Sequence, residues 1–444
     1  MHLPTRLRTC LLALLCVVVH VEAAAPRIGN GPIEPKIMVV AMWEPEAQVW
    51  YSRLPESGLG DLKAHRVPVP GLSMLFPTVD CAPNHELCLL TVGEGEINAA
   101  ASMTALAFSP LFALRKTYFM FTGIAGVNPR KATLGSVALA RYSVQVALQY
   151  EIDTRSLPAD WETGYFAYGC SRPNEYPTIT YGTEVFELNA ALRDKAYFLS
   201  SNATLSDSEG PRKYRARYDP PIRPAPPKRY KRPLRDEDDE IEVNEYHAAS
   251  GTPSVVRCDT ATSDVYYSGT RLSEAFERTT ALWTNGTGEY CMTAQEDNAN
   301  LEVMVRADIE GMVDFSRILV MRSGSNFDRP PPGLTDLEHL TRTDQNGFTI
   351  SIDNLFNAGL PIVRGILDKW DCTYKQGIPA ENYIGDIFGS LGGDPDFGLG
   401  SITGGERVKP MGGDGGSDRG DEHARRMALR RARRWREARL LGKL

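Results

Sequence analysis

Residues 117–129 read "TYFMFTGIAGVNP". The first half is aromatic and β-branched or flexible apolar material, the composition of a strand buried on both faces. The second half places Gly123 and Gly126 three apart and ends in Asn-Pro, which reads as a glycine turn leaving the strand. Glycine removes a side chain where something must approach the backbone. The segment therefore predicts a buried strand that runs into a close-approach turn.

The same pattern recurs along the chain. "KIMVVAMW" (36–43) reads as a second buried strand, and "LCLLTVGEGEINAAASMTALAF" (87–108) as strand, glycine turn at Gly93 and Gly95, then an alanine-rich helix. "LGSVALARYSVQVAL" supplies further strand, and "TSDVYYSGTRLSEAFERTTALW" (262–283) begins as strand and continues as helix. "QEDNANLEVMVRADIEGM" (295–312) has helical spacing at Leu301, Met304 and Val305, and "SRILVMRSGS" (316–325) is again a buried strand. Strand and helix in alternation predict an α/β sandwich around a mixed or parallel sheet. Ligands in such folds sit beyond the carboxyl ends of the strands, where these glycine turns lie.

Composition bounds the rest. A chain of 444 residues, 42% apolar and 24% charged, suffices for one large domain or two smaller ones, and a net charge of -7 does not describe a nucleic-acid binder. Arg6 and Arg8 precede the apolar "LLALLCVVV" and the small residues of "HVEAAAP", so residues 1–23 read as a secretory signal cut after Ala23. That apolar run is shorter than the roughly 20 residues of a membrane span. Residues 24–34 form a leader. Six cysteines remain after the signal, an even number in an oxidising route. "CAPNHELC" predicts a Cys81–Cys88 disulfide, and the pairing of Cys170, Cys258, Cys291 and Cys372 stays open. No Cys or His grouping has zinc spacing, so no metal and no cofactor are expected. "NAT" at Asn202 and "NGT" at Asn285 are glycosylation acceptors.

Two stretches differ from core. Residues 206–253 are Pro-rich and basic, then acidic, and read as a surface insertion without helix or strand. Residues 404–444 are Gly-rich, then Arg-rich; the end is either a basic helix that touches anionic membrane or a solvated tail. No P-loop, HExxH or GxSxG is present, and "GEGE" lacks the third glycine of a dinucleotide fingerprint.

The order "AMWEPEAQVW", "TVGEGEINAA", "TGIAGVNP", "TSDVYYSG", "TAQEDNANLE", "VMRSGSNFD" resembles the fungal purine nucleoside permease family from about Pro35 to about Gly400. More distantly it is similar to the nucleoside phosphorylase and nucleosidase superfamily. The resemblance implies one nucleoside-phosphorylase-like domain over 35–403, a three-layer α/β sandwich whose mixed sheet curls into a barrel. It implies ribose binding by Glu296 beside Gln295, base packing by one of Tyr266 and Tyr267, and base-edge recognition by Asn326 with Asp328 close by. Glu46, or Glu44 one alignment step away, resembles the glutamate that activates water in the nucleosidase branch. Gly93, Gly95, Gly123, Ala125 and Gly126 would bring backbone N–H groups to the ligand. Phosphorolytic members use a hydroxyl at the turn; here Ile124 stands there, with Phe121 just before Thr122, which favours water over phosphate, or no chemistry.

The expectation is purine nucleoside recognition serving uptake, in the secretory or extracellular space, with a membrane partner for any transport. The alternative is cleavage of the N-glycosidic bond, by water rather than phosphate.

Overall fold

The computed structural model describes residues 31–219, 245–393 and 395. The stretch read as a signal, the centre of the 206–253 segment and the basic tail lie outside the described residues.

Eight strands carry the sheet: β1 (Ile37–Ala41), β2 (Leu87–Thr91), β3 (Tyr118–Val127), β4 (Val137–Leu139), β5 (Tyr142–Gln145), β6 (Asp259–Thr262), β7 (Tyr290–Ala294) and β8 (Ile318–Phe327). The pairs β1/β2, β1/β3, β3/β8, β5/β6 and β6/β7 are parallel, while β4/β8 and β3/β7 are antiparallel. With shorter outer strands, thirteen join one mixed sheet among the described residues. Its ladder branches at β3, which pairs with β1, β7 and β8, and does not return on itself. The expected closed barrel is therefore not found among the described strands.

Seven helices matter to the argument: α1 (Glu44–Arg53), α2 (Glu96–Ala107), α3 (Glu209–Arg215), α4 (Thr270–Trp283), α5 (Asp297–Ile309), α6 (Asp336–Arg342) and α7 (Phe348–Asp368). Successive side chains of a strand point to opposite faces, and β1 shows both faces covered. Met38 and Val40 pack with Met103 of α2 and Met304 of α5. Ile37 and Val39 pack with Trp50 of α1 and Ile362 of α7. That double burial is why "IMVVA" shows no alternation, and it makes the sandwich.

The disulfide Cys81–Cys88 is present, joining residues that face one another across antiparallel strands. Cys258–Cys291 is a second. Cys170 and Cys372 are free, so the expectation that all six cysteines pair is corrected.

Two further corrections concern local structure. β3 continues through Gly123 and Gly126 to Val127, paired with β8 along its length apart from one bulge at Ser325, so "TGIAGV" is strand and not turn. The 206–253 segment is also not bare of helix. α3 places its Pro211 in the first turn, where a missing N–H costs nothing.

Candidate functional site

The carboxyl ends of β1, β3, β6, β7 and β8 surround a cavity of about 490 Å³. Met42, Glu46, Ile124, Glu296 and Arg322 line one end, and Tyr266, Ser325, Asn326 and Asp328 line another. Residues 343–348 contribute a wall.

Glu46 sits in the first turn of α1, directly after β1. Pro45 opens the helix, and the turn folds the Glu46 carboxylate back under the strand. Its Oε2 accepts from the Met42 N–H at 2.8 Å and its Oε1 from the Ile124 N–H at 2.7 Å. The group is 2% exposed, and burial pushes its pKa up to about 7, against the opposing pull of Arg322 and the two backbone donors. Glu44 is exposed, so the choice between the two glutamates falls on Glu46 as the one inside the cavity.

Glu296 precedes α5. Its carboxylate accepts from the Gly95 N–H at 3.0 Å and from Arg322 Nη2 at 3.2 Å. Burial raises its pKa, and Arg322 pulls in the other direction. Gly95 holds a φ of 84° that favours glycine, and this aims its N–H at Glu296. The neighbouring Asp297 turns away from the cavity and takes the Arg322 guanidinium at Nε and Nη2. Gln295 lines the cavity and donates to the Asp264 carbonyl at 3.2 Å.

Arg322 is the functional residue that sequence reasoning missed. The signal was there: an arginine inside the apolar run "ILVMRSGS" must find buried partners. It is 2% exposed and faces Asp297, Glu296, Glu46 and the Ile124 carbonyl. One cation stands among three carboxylates, so this end of the cavity carries excess negative charge when they are ionised. Residues 343–348 left no comparable signal, since "TDQNGF" reads as an ordinary polar turn.

The glycines of β3 are approached closely by the protein's own side chains. A Cβ on Gly123 would lie 2.5 Å from Arg322 Nη1 and 2.8 Å from Glu46 Oε1. One on Gly126 would lie 2.8 Å from Thr293 Oγ1, which accepts the Gly126 N–H. The close approach is by the protein's own side chains, which also take the N–H groups of Ile124 and Gly126. Ala125 and Gly126 still line the cavity; Gly93 holds a φ of 96° in a true turn beside Asn98.

At the other end, β8 bulges between Gly324 and Asn326, which turns the Asn326 side chain to the cavity. Ser325 Oγ lies 2.9 Å from Asn326 Oδ1, Asn326 Nδ2 donates to the Phe327 carbonyl at 3.3 Å, and Tyr266 lines the same cavity. Tyr266 is exposed, and Tyr267 is buried with its hydroxyl 3.1 Å from that of Tyr290. Both lie on the loop after β6, not on the expected strand. Asp328 reaches the cavity lining, yet its carboxylate is held by Arg329 at 2.8 and 2.9 Å and by the Tyr290 hydroxyl at 2.6 Å. It is placed as an internal ion-pair partner, not as a substitute for Asn326.

Asn202 and Asn285 are both exposed. No helix of the described residues is long and apolar enough to cross a membrane.

The sequence model of the purine nucleoside permease family matches residues 34–379. A purine nucleoside permease of Candida albicans is 42% identical over 371 residues, 82% of this chain and 83% of that one. A probable purine nucleoside permease of Schizosaccharomyces pombe is 36% identical over 367 residues, 81% of this chain and 97% of that one. Similar solved structures include Streptococcus pneumoniae MTA/SAH nucleosidase with 8-aminoadenine (14% identical, 74% of this chain and 99% of that one, TM-score 0.40). Another is the futalosine hydrolase of Helicobacter pylori (12% identical, 76% and 98%, TM-score 0.40). The chain belongs to the purine nucleoside permease family.

Proposed function

We propose that this cavity recognises purine nucleosides and that the protein serves their uptake or use. The observation that carries the reading is the shared cavity of Glu296 and Asn326. A buried carboxylate beside Arg322 can accept from both hydroxyls of a ribose. The Asn326 amide can pair with a purine edge, and the Tyr266 ring, which lines the same cavity, can pack on its face. Glu296 therefore takes the sugar, and Asn326 with Tyr266 takes the base. Family membership supports the same ligand class.

The protein travels the secretory route in this reading, and any part in transport is indirect or needs a membrane partner. The signal-like start and two disulfides support that route. Exposed acceptors at Asn202 and Asn285 accord with it.

A second reading, hydrolysis of the N-glycosidic bond, is favoured by Glu46. Its pKa of about 7 lets it take a proton from water near neutrality. Arg322 is already paired with Asp297 and Glu296, and the three carboxylates around it repel an anion when ionised. Asn326 can stabilise a departing base by hydrogen bonding and cannot protonate it.

The test is chromatography of inosine, adenosine and guanosine after incubation with the mature chain, with and without phosphate. Intact nucleosides that nonetheless bind leave a recognition protein. Free base in both buffers makes it a nucleosidase. Release only with phosphate contradicts the assignment of Arg322.

A further inference from the structure

The 206–253 segment has ordered arms, and the first of them grips the base end of the cavity. Tyr218 is fully buried; its hydroxyl donates to the Arg329 carbonyl, and its ring lies 4.3 Å from that of Phe327. The Tyr214 hydroxyl lies 2.6 Å from His339 Nδ1, and His339 Nε2 lies 3.0 Å from the Phe327 carbonyl. The carbonyl can only accept, so Nε2 carries the proton and Nδ1 accepts from Tyr214. Burial lowers the His339 pKa, which keeps this neutral tautomer in place. The Phe327 N–H donates to Gln345 Oε1 at 2.7 Å. Both backbone groups of Phe327 are thus held by side chains, and Phe327 is the residue beside Asn326.

We propose that Tyr214 and Tyr218 are positioning residues for base discrimination. They fix the backbone of residues 326–329 after the β8 bulge, through His339 and directly, so that the Asn326 amide meets the purine edge at one angle. The ligand is touched by Asn326, not by the tyrosines. The far arm adds to the same end, since Tyr246 packs on Tyr218 at 5.6 Å and Arg130 pairs with Glu245 and Glu277, the latter also bonding Arg329. An insertion read from sequence as surface decoration is, at its roots, part of the support of the recognition amide. The inference rests on the nucleoside reading above.

The experiment compares Tyr214→Phe and Tyr218→Phe with wild type in two measurements. Each variant keeps the ring and its packing and loses one hydroxyl. Binding of inosine should weaken about threefold to tenfold, the loss of about one neutral hydrogen bond's worth of alignment. Binding of purine riboside, which has no 6-substituent, should change by less than about twofold. Equal losses for both ligands would show a merely structural role and overturn the proposal. Amide hydrogen exchange of residues 326–329 is the second measurement and needs no ligand. It should rise more at these residues than across the rest of the chain in both variants, and unchanged exchange would also overturn the proposal. A wild type that binds neither ligand refutes the nucleoside reading and base discrimination with it; raised exchange in that case leaves the bracing alone established.

Discussion

Gly123 and Arg322 face one another across the β3–β8 ladder, and the arginine's Nη1 fills the space that a side chain at 123 would need. The same space is bounded on its other side by Glu46. A single missing Cβ thus lets a buried cation and a buried carboxylate meet over the strand.

Gly123→Ala should therefore act as overpacking, costing about 1–3 kcal/mol. Neither neighbour can withdraw freely, since Glu46 is held by two backbone N–H groups and Arg322 by two acidic residues. The check is a denaturant midpoint, with Ala132→Gly as a control elsewhere in the core. Unchanged stability and unchanged nucleoside affinity would contradict the geometry.

Asp297 and Glu296 share Arg322 and should separate on mutation. Asp297→Asn removes the carboxylate that meets the buried guanidinium at both Nε and Nη2 and should cost about 3 kcal/mol or more. Glu296→Gln should cost less stability and more affinity, because Glu296 is the one that lines the cavity. Parallel unfolding and binding titrations of the two variants read the split.

Glu46 carries a pH signature. Its folded pKa, about 7, lies above the ordinary value of 4.5 because burial penalises the charged form. The sign follows: the stabilising contribution is complete below about pH 4.5 and is lost as pH rises through about 7, by an amount on the order of 3 kcal/mol. Glu46→Gln does not titrate. It should be less stable than wild type at pH 5, since its amide N–H₂ must face a backbone donor, and the gap should narrow by pH 8. Thermal midpoints across that range test it, and a gap that widens contradicts it.

The two disulfides should differ in worth. Cys258 and Cys291 close a loop with a separation of 33, against 7 for Cys81 and Cys88. Loop entropy assigns about 4 kcal/mol to the first and about 2 kcal/mol to the second. Paired alanine replacements, unfolded in denaturant, give the order directly.

The sequence displayed much of this in advance, for reasons that can be named. β1 and the first halves of β3 and β8 were legible because a strand buried on both faces reads as an unbroken apolar run, as in "IMVVA", "YFMF" and "ILVM". The place of Glu296 and Glu46 in the cavity lining was legible because each stands between a buried strand and the first turn of a helix. The reading of Gly123 as a turn failed because close packing against a side chain and a tight turn ask for the same residue. Only the partner distinguishes them, and Arg322 is about 200 residues away. For Asp328 the adjacent Arg329 is visible in the sequence as an ion-pair partner, while the Tyr290 hydroxyl that also donates to it lies 38 residues away. The insertion was misjudged because Pro211 is harmless in a first turn and the tyrosines that follow it find a core supplied by α6 and β8.

The measurement closest to the central claim is titration calorimetry of inosine into the mature chain, wild type beside Glu296→Gln. The account predicts saturable heat at one site per chain for wild type. It predicts affinity at least about tenfold weaker in the variant, the loss of charge-assisted bonds to the ribose hydroxyls. No heat from inosine, adenosine or guanosine, or equal affinity in wild type and Glu296→Gln, would contradict it.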